Sequence, residues 1–304
     1  MKEFAYIEWL RQRIPADRRV LVGPGDDCAV LNPSQAPLLV TTDMLLDGTH
    51  FRLTEVGAKR VGRKVLAVNL SDVAAMAGKP FAAVVSVGLP RNGPKNIAEE
   101  LFQGMRELAE VFDTAIIGGD TNSWTGGLVI SVTLLGEVEP PGPVLRSGAR
   151  PGDWLFVTGP LGGSILGKHL DFTPRVAEAR LLHRTVQIHA MIDISDGLAG
   201  DLGHICAESR CGAVLFAESI PISDAARQID DRRPPLEHAL GDGEDFELLF
   251  AVAAADGQRL LSTQPIAGIT LHHVGKCRPE DGIILRDMGE DRPLKPRGYE
   301  HELS

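Results

Sequence analysis

A proline- and glycine-rich stretch near the middle of the 304-residue chain constrains its fold more than any other feature. The stretch begins with Glu139-Pro140-Pro141-Gly142-Pro143 and continues through further Gly and Pro residues to Asp153. Proline and glycine at this density cannot continue a helix or a central strand, so the chain must divide here. Because the length suits about two domains of roughly 150 residues, we predict an N-terminal domain over 1–138 and a C-terminal domain over 139–304.

Both halves alternate short strand-like runs with helix-like runs, which predicts two domains of mixed α and β structure. Predicted strands are rich in Val, Ile or Thr and cover 38–42, 82–87, 115–117, 128–135, 154–157, 190–194, 213–216 and 248–251. Predicted helices cover 59–77, 94–112, 161–170, 175–189 and 198–208. These patterns leave the order of the strands open.

Asp72 lies inside the predicted helix 59–77, which is apolar around most of its circumference. If the helix is continuous, the carboxylate projects among apolar neighbours such as Val68 and Met76. An unpartnered charge costs several kcal/mol in such surroundings, and a metal ion or a cationic partner would remove that cost. The alternative is a helix break with Ser71 or Asp72 as an N-terminal cap.

Composition argues against several classes of protein. The 31 basic and 41 acidic residues give a formal charge of −10, whereas a dedicated nucleic-acid binder neutralises phosphates with basic residues. The longest apolar run, Leu248 to Ala255, is too short to span a membrane, and the start of the chain does not resemble a signal peptide. The four cysteines form no CxxC pair of the kind that binds zinc, and four thiols in 304 residues suit a reducing compartment and no disulfide framework. We therefore expect a cytoplasmic protein with neither nucleic-acid nor membrane partners.

Aspartates recur where a predicted strand runs into a turn that contains Gly or Thr. The instances are Gly25-Asp26-Asp27, Thr41-Thr42-Asp43, Gly118-Gly119-Asp120, Asp193-Ile194-Ser195-Asp196-Gly197 and Gly241-Asp242-Gly243-Glu244-Asp245. Each one alone is explained as a turn or a helix cap. If strand ends converge at one edge, these acids would repel one another unless divalent cations lay between them. Oxygen ligands without a matching Cys or His set favour Mg²⁺, which indicates phosphoryl transfer or hydrolysis assisted by several metal ions.

Three further segments each allow two interpretations. Gly162 to His169 nearly matches a phosphate-binding P-loop, but His169 stands where Ser or Thr must bind Mg²⁺, so a Gly-rich turn that opens a helix is favoured. Asp193 to Gly197 resembles part of a calcium-binding loop that lacks the closing Glu. His50 follows the Thr-Thr-Asp turn closely enough to reach the same site, although a loop histidine is more often a packing residue.

Eight motifs in order resemble the thiamine-monophosphate kinase family, from about residue 3 to residue 301. They are Gly25-Asp26-Asp27-Cys28-Ala29, Thr41-Thr42-Asp43, Gly48-Thr49-His50-Phe51, Ala67-Val68-Asn69-Leu70-Ser71-Asp72, Gly118-Gly119-Asp120-Thr121, Arg146 to Asp153, Asp193 to Leu198 and Gly243-Glu244-Asp245-Phe246-Glu247-Leu248. This family belongs to a superfamily of ATP-using enzymes that includes aminoimidazole ribonucleotide synthetase.

The resemblance implies an α+β fold whose N-terminal sheet pairs with its twin in a homodimer. It implies direct transfer of the γ-phosphoryl group of ATP to thiamine monophosphate, without a general base. The implied Mg²⁺ ligands are Asp27, Thr41, Thr42, Asp43, Asp72, Asp120, Asp193 and Asp196. The residues implied to contact ATP are Gly119, Asp120, Arg146 and Ser195, and those implied to face the thiamine phosphate are His50, Glu244 and Tyr299.

The sequence departs from the family pattern at three places near the implied substrate. Thr49 stands where Asn is usual before the histidine, Asp242 stands where Gly is usual, and the end of the chain after Tyr299 lacks the usual Phe. Three other functions stay open at this point. They are aminoimidazole ribonucleotide synthetase activity, a metal-dependent phosphatase that needs no ATP, and a non-catalytic sensor of divalent cations or nucleotides.

Overall fold

The structure is a computed structural model that describes residues 12–14, 17–22, 30–31, 36–93 and 96–295. The chain forms two compact units. The first ends at Pro141, and the second begins at Gly142 and includes the short segment Ala74–Ala77. Among the described residues, no helix has the length and apolar character needed to cross a bilayer.

The first unit is built around a four-stranded sheet. Its elements are β1 (Val20–Val22), β2 (Val30–Leu31), β3 (Leu38–Leu46), α1 (Leu53–Val56), α2 (Ala58–Ala75), β4 (Lys79–Pro90), α3 (Ile97–Val111), β5 (Ala115–Trp124) and β6 (Val129–Glu137). The strand order is β3-β6-β4-β5, so β3 and β5 are the two edges. β4 and β5 are parallel, whereas β6 is antiparallel to both β3 and β4.

The two faces of this sheet differ, as β3 shows. Leu39 and Leu45 are buried, whereas Val40 and Met44 are 65% and 56% exposed. Side chains alternate between the faces of a strand, so one face of the sheet is covered by the core and the other faces solvent here. We call these the covered face and the open face.

Helix α2 is continuous through Asp72 to Ala75, so the alternative of a helix break at Ser71 or Asp72 is wrong. Its side chains are buried around most of the circumference, as the sequence predicted, and Val65 and Leu66 are fully buried. The continuous helix therefore places Asp72 beside the core.

The second unit is built around a seven-stranded sheet. Its elements are β7 (Trp154–Val157), α4 (Lys168–Asp171), α5 (Val176–Thr185), β8 (Ile188–Asp193), α6 (Leu198–Ser209), β9 (Gly212–Phe216), α7 (Asp224–Gln228), α8 (Pro235–Gly241), β10 (Leu248–Val252), α9 (Ala254–Thr263), β11 (His272–Arg278), β12 (Ile283–Asp287) and β13 (Glu290–Leu294). The order is β13-β12-β9-β11-β7-β10-β8. β12 and β9 are parallel, and the other neighbouring pairs are antiparallel. Two sheets with helices confirm the predicted α+β fold class.

Two predicted helices of the second unit are wrong in part. The helix predicted over 175–189 ends at Thr185, because Ile188 already pairs with Val252 in the sheet. The helix predicted over 161–170 is a single 3₁₀ turn at Ser164–Leu166 followed by the short helix α4. Gly163 and Gly167 interrupt it with φ of 71° and 141°, which glycine adopts readily. Strands β11 to β13 are additional elements that the sequence pattern did not predict.

Candidate active site

A polar pair lies on the covered face of the first sheet. The alternation that buries Leu39 and Leu45 places Thr41 and Asp43 on the same face. The Thr41 hydroxyl donates a hydrogen bond of 2.5 Å to Oδ2 of Asp72 on α2. Both side chains are half-buried, and this hydrogen bond gives the carboxylate a polar partner on the sheet.

The strand register places Asp120 away from this pair. Asp120 on β5 is aligned with Ser86, Ser86 with Ser131, and Ser131 with Met44 on β3. Aligned residues share a face, so Asp120 lies on the open face at the edge opposite β3, whereas Asp43 lies on the covered face. Asp120 is exposed and accepts a hydrogen bond of 3.0 Å from the Asn122 side chain.

Thr42 and Gly119 complete the first unit's candidate residues. Thr42 lies on the open face, where its hydroxyl oxygen accepts a hydrogen bond of 3.2 Å from Thr133. Gly119 runs close to the neighbouring strand, because a Cβ built on it would lie 1.8 Å from the Val85 carbonyl oxygen. A glycine is therefore required beside Asp120.

His50 is fixed in one orientation by the turn after β3. Its Nδ1 accepts a hydrogen bond of 3.1 Å from the Leu46 amide, so the proton of the neutral ring lies on Nε2. Lys64, which is fully buried, donates a hydrogen bond of 2.8 Å to the His50 carbonyl oxygen. Sequence reasoning missed Lys64, since a lysine within a helix is usually a surface residue. Asp27 and Tyr299 lie outside the described residues.

Three acids of the second unit, Asp193, Asp196 and Asp201, form what we call the clustered acids. Asp193 ends β8, and Asp196 lies in the turn that leads into α6. Oδ2 of Asp201 accepts a hydrogen bond of 3.1 Å from the Asp196 amide. Burial, together with the charges of Asp193 and Asp196, raises the pKa of the Asp201 carboxyl to about 8.

The clustered acids extend to a histidine that sequence reasoning also missed. Asp196, Asp201 and His204 each offer a ligand atom, and these atoms lie within 4.8 Å of one another. Asp201 lies in the first turn of α6, where an acid typically accepts backbone amides. That position was the available signal for Asp201, and His204 follows it by three residues on the same side of the helix.

Arg146 lies in an exposed loop whose backbone is held by one serine. The Ser209 hydroxyl donates to the Arg146 carbonyl oxygen and accepts from the amides of Gly148 and Ala149, all at 3.1 Å. The Arg146 guanidinium is exposed and is available to bind an anion.

The acids before β10 are held by other parts of the same unit. We call Asp242, Asp245 and Glu247 the anchored acids. Asp242 accepts a hydrogen bond from Gly163, and Asp245 accepts hydrogen bonds from Gly162 and Ser164. Glu247 accepts hydrogen bonds from Thr158, Lys168 and Arg175. Glu244 contacts His169 with an Oε2–Nδ1 distance of 3.2 Å, and 30% of its side chain is exposed. Glu244 is thus the acid of this segment whose carboxylate is best placed to meet a ligand.

The sequence matches two families of domains along most of its length. Residues 25–138 match AIR synthase related protein, N-terminal domain, and residues 150–287 match AIR synthase related protein, C-terminal domain. The thiamine-monophosphate kinase of Rhodopirellula baltica is 43% identical over 310 residues, which cover 98% of this chain and 97% of that protein.

Two solved structures share the fold. The crystal structure of thiamine-monophosphate kinase from Stenotrophomonas maltophilia K279a has a TM-score of 0.83 at 34% identity, and the match covers 96% of this chain and 98% of that chain. AaThiL complexed with AMPPCP and TMP has a TM-score of 0.77 at 28% identity, covering 99% of this chain and 97% of that chain. The chain therefore belongs to the thiamine-monophosphate kinase family of the AIR synthase related proteins, as the order of its motifs predicted.

Proposed function

We propose that the chain transfers the γ-phosphoryl group of ATP to thiamine monophosphate, which gives thiamine diphosphate and ADP. The observation that carries this proposal is the full-length similarity to thiamine-monophosphate kinases at 43% identity. A related structure binds AMPPCP, an ATP analogue, together with TMP, which supports both substrates.

Several Mg²⁺ ions are part of the proposal, and the clustered acids fit them. The Asp201 pKa of about 8 reflects burial and repulsion from Asp193 and Asp196, and a divalent cation would relieve this repulsion. Carboxylate and hydroxyl oxygens are the ligands that Mg²⁺ prefers. The residues that would hold the ions are Asp27, Thr41, Thr42, Asp43, Asp72, Asp120, Asp193 and Asp196. When bound, Mg²⁺ neutralises phosphate charge and orients the phosphates.

The chain's own residues then position two polyanions for an in-line displacement. A phosphate oxygen of thiamine monophosphate forms the new bond to the γ-phosphorus, and the bond from that phosphorus to the bridging oxygen breaks as ADP leaves. The attacking oxygen is already ionised near neutral pH, so none of these residues needs to act as a general base. Arg146, Gly119 and Ser195 are assigned to ATP, and Nε2–H of His50 is assigned as a donor to the phosphate of the acceptor, with Glu244 and Tyr299 facing the same substrate.

The homodimer and the cytoplasmic location also belong to the proposal. Val40 and Met44 expose apolar side chains on the open face, and a second copy of the sheet would bury them. Cys206, Cys211 and Cys277 are buried free thiols, which suits a reducing compartment.

We infer from the position of Asp120 that each active site uses residues of both copies in the dimer. Asp120 lies on the open face, at the edge opposite the strand that carries Asp43. We therefore assign Asp120 to the site of the second copy. Mixing inactive Asp72→Asn and Asp120→Asn proteins should restore about a quarter of wild-type activity, because about half of the dimers are mixed and one of their two sites keeps both aspartates. Failure to restore activity after confirmed subunit exchange would contradict this assignment.

The direct test incubates the purified protein with Mg²⁺, ATP and thiamine monophosphate and separates the products by chromatography. We expect thiamine diphosphate and ADP in equal amounts. Release of inorganic phosphate from thiamine monophosphate without ATP would instead support a phosphatase, and stable binding of ATP without turnover would support a sensor.

A further inference from the structure

The glycine-rich segment Gly162–His169 binds acidic side chains of its own chain where a P-loop would bind phosphate. The Gly162 amide donates to both carboxylate oxygens of Asp245 at 3.0 and 2.9 Å, and the Gly163 amide donates to Asp242 at 3.1 Å. The Ser164 hydroxyl donates to Asp245 at 2.5 Å. The motif that nearly matched a nucleotide-binding loop is thus the clamp for one end of the segment 242–247.

Two cations clamp the other end of the same segment through Glu247. Lys168 Nζ lies 2.8 Å from Oε1 of Glu247, and Arg175 binds both carboxylate oxygens through Nε and Nη2 at 2.8 and 2.9 Å. Only 1% of the Glu247 side chain is exposed. Burial alone would raise its pKa, but the hydrogen bonds from Arg175 and the charge of Lys168 outweigh burial and keep the pKa below its usual value.

Within the segment 242–247, the backbone has an unusual conformation. Glu244 and Phe246 have φ of 52° and 49°, in the left-handed region that side-chain-bearing residues seldom adopt. Their amides donate to the carbonyl oxygens of Ser195 and Ile194 at 2.7 and 2.8 Å. The Phe246 ring stacks on Phe172 with centroids 4.1 Å apart. A strained turn keeps its shape only where its surroundings fix it. Here the clamped acids Asp242 and Asp245 flank Glu244, and Asp245 and Glu247 flank Phe246.

We propose that Lys168 and Arg175 are positioning residues, which hold Glu247 so that the strained turn presents Glu244 to thiamine monophosphate. The inference rests on the proposed function, because Glu244 is the acid assigned to that substrate. Both cations bind the Glu247 carboxylate, so we expect them to act on Glu244 through Glu247 and the backbone. Asp193 should keep its place when the cations are removed, since β8 remains paired with β10 from Leu248 onward, and Arg146 is held separately by Ser209.

The test compares Lys168→Met and Arg175→Met with Lys276→Met, an exposed lysine on β11 in the same unit. In each clamp variant the KM for thiamine monophosphate should rise on the order of tenfold, the size typical when a supporting partner is removed, while the KM for ATP changes less than about twofold. Lys168→Arg should restore most of the wild-type KM, because it keeps a cation beside Glu247. Lys276→Met should leave both constants unchanged.

A role in stability alone gives a different result. Folded clamp variants with a lower kcat and both KM values unchanged would overturn the proposal, and so would equal rises in the two KM values. If the methionine variants do not fold, Arg175→Lys replaces them, because it keeps the charge and loses the bidentate contact. It should still raise the KM for thiamine monophosphate selectively, and an unchanged value would overturn the proposal.

Hydrogen exchange separates this proposal from the proposed function. The amides of Glu244 and Phe246 should exchange at least about tenfold faster in the clamp variants, while those of β10 stay protected. If the wild-type protein does not phosphorylate thiamine monophosphate, the proposed function fails, whereas faster exchange at these two amides still supports the clamp. Unchanged exchange at both amides would overturn the clamp whatever the activity.

Discussion

The clustered acids and the anchored acids lie next to each other in the second unit but differ in how their charges are balanced. Backbone hydrogen bonds of 2.7 to 2.8 Å join residues 194–195 to residues 244–247. Asp245 and Glu247 accept hydrogen bonds from amides, hydroxyls and cations of the same chain. In the clustered acids, burial and the neighbouring charges of Asp193 and Asp196 raise the pKa of Asp201 to about 8.

This difference separates acids that hold the fold from acids that are suited to a metal ion. A buried carboxylate is tolerated when donors of the chain surround it. Carboxylates that repel one another can lie close together in the folded protein when a bound cation balances their negative charge. Removing a clustered acid should therefore mainly lower activity, whereas removing an anchored acid should mainly lower stability.

The largest expected effect is the loss of activity in Asp193→Asn. If the clustered acids hold Mg²⁺, removing one carboxylate should lower kcat on the order of 10³-fold, since a metal ion supplies several kcal/mol of charge stabilisation. Steady-state kinetics and circular dichroism measure activity and fold on the same protein. Asp281→Asn, an exposed acid of the same unit, is the control and should keep full activity. A kcat within about tenfold of wild type would remove Asp193 from the metal ligands.

The next effect is a loss of stability in Glu247→Gln. Lys168 and Arg175 would remain beside a neutral amide, so we expect the free energy of unfolding to fall by about 3 kcal/mol. Urea denaturation measures this change. Asp291→Asn removes the partner of Arg286 in an exposed ion pair and should change stability little. Equal losses in the two variants would show that Glu247 is no better anchored than a surface acid.

The parts of the fold and site that depend on local pattern could be predicted from the sequence. The short run of Leu, Val and Thr at 38–42 predicts β3, and the apolar circumference around Asp72 predicts α2. The order of eight motifs identifies the family. For β3 and α2, the residues that allow the prediction lie within the element itself or a few residues from it.

The sequence could not separate the clustered acids from the anchored acids. Both groups follow the same Asp-Gly pattern, and the donors that distinguish them come from far along the chain, as Lys168 does for Glu247. It likewise could not place Asp120 on the open face, because strand order and register are set by long-range pairing. Strand β13 contains charged residues and a proline. Such residues are common in edge strands, but they do not form the apolar pattern from which a strand is predicted.

Measuring the free energy of unfolding against pH, without metal, tests whether Asp201 differs from the anchored acids in its charge. Between pH 4 and 8 the unfolded chain has lost this proton, whereas the folded chain, with the pKa of Asp201 at about 8, retains it. The free energy of unfolding should therefore fall as pH rises, with a contribution of up to about 1.4 kcal/mol per pH unit from this group. Urea denaturation in EDTA should show this fall in the wild type and a flatter profile in Asp201→Asn. Identical profiles would mean that the pKa of Asp201 is not raised in the folded protein.

The smallest expected effect concerns one hydrogen bond within the anchored acids. Ser164 donates to Asp245, whose pKa is raised to about 6 by burial. The carboxyl is ionised at pH 8 and protonated at pH 5, and a hydrogen bond to an ionised acceptor is the stronger one. Ser164→Ala should therefore lower the free energy of unfolding by about 1 kcal/mol more at pH 8 than at pH 5. Ser223→Ala is the matched control, because Ser223 donates to the Gly162 carbonyl oxygen and accepts from the Ala226 amide, neither of which titrates. A loss that is equal at the two pH values in Ser164→Ala would mean that Asp245 keeps one charge state throughout, and the balance of charge in the anchored acids would then rest on Glu247.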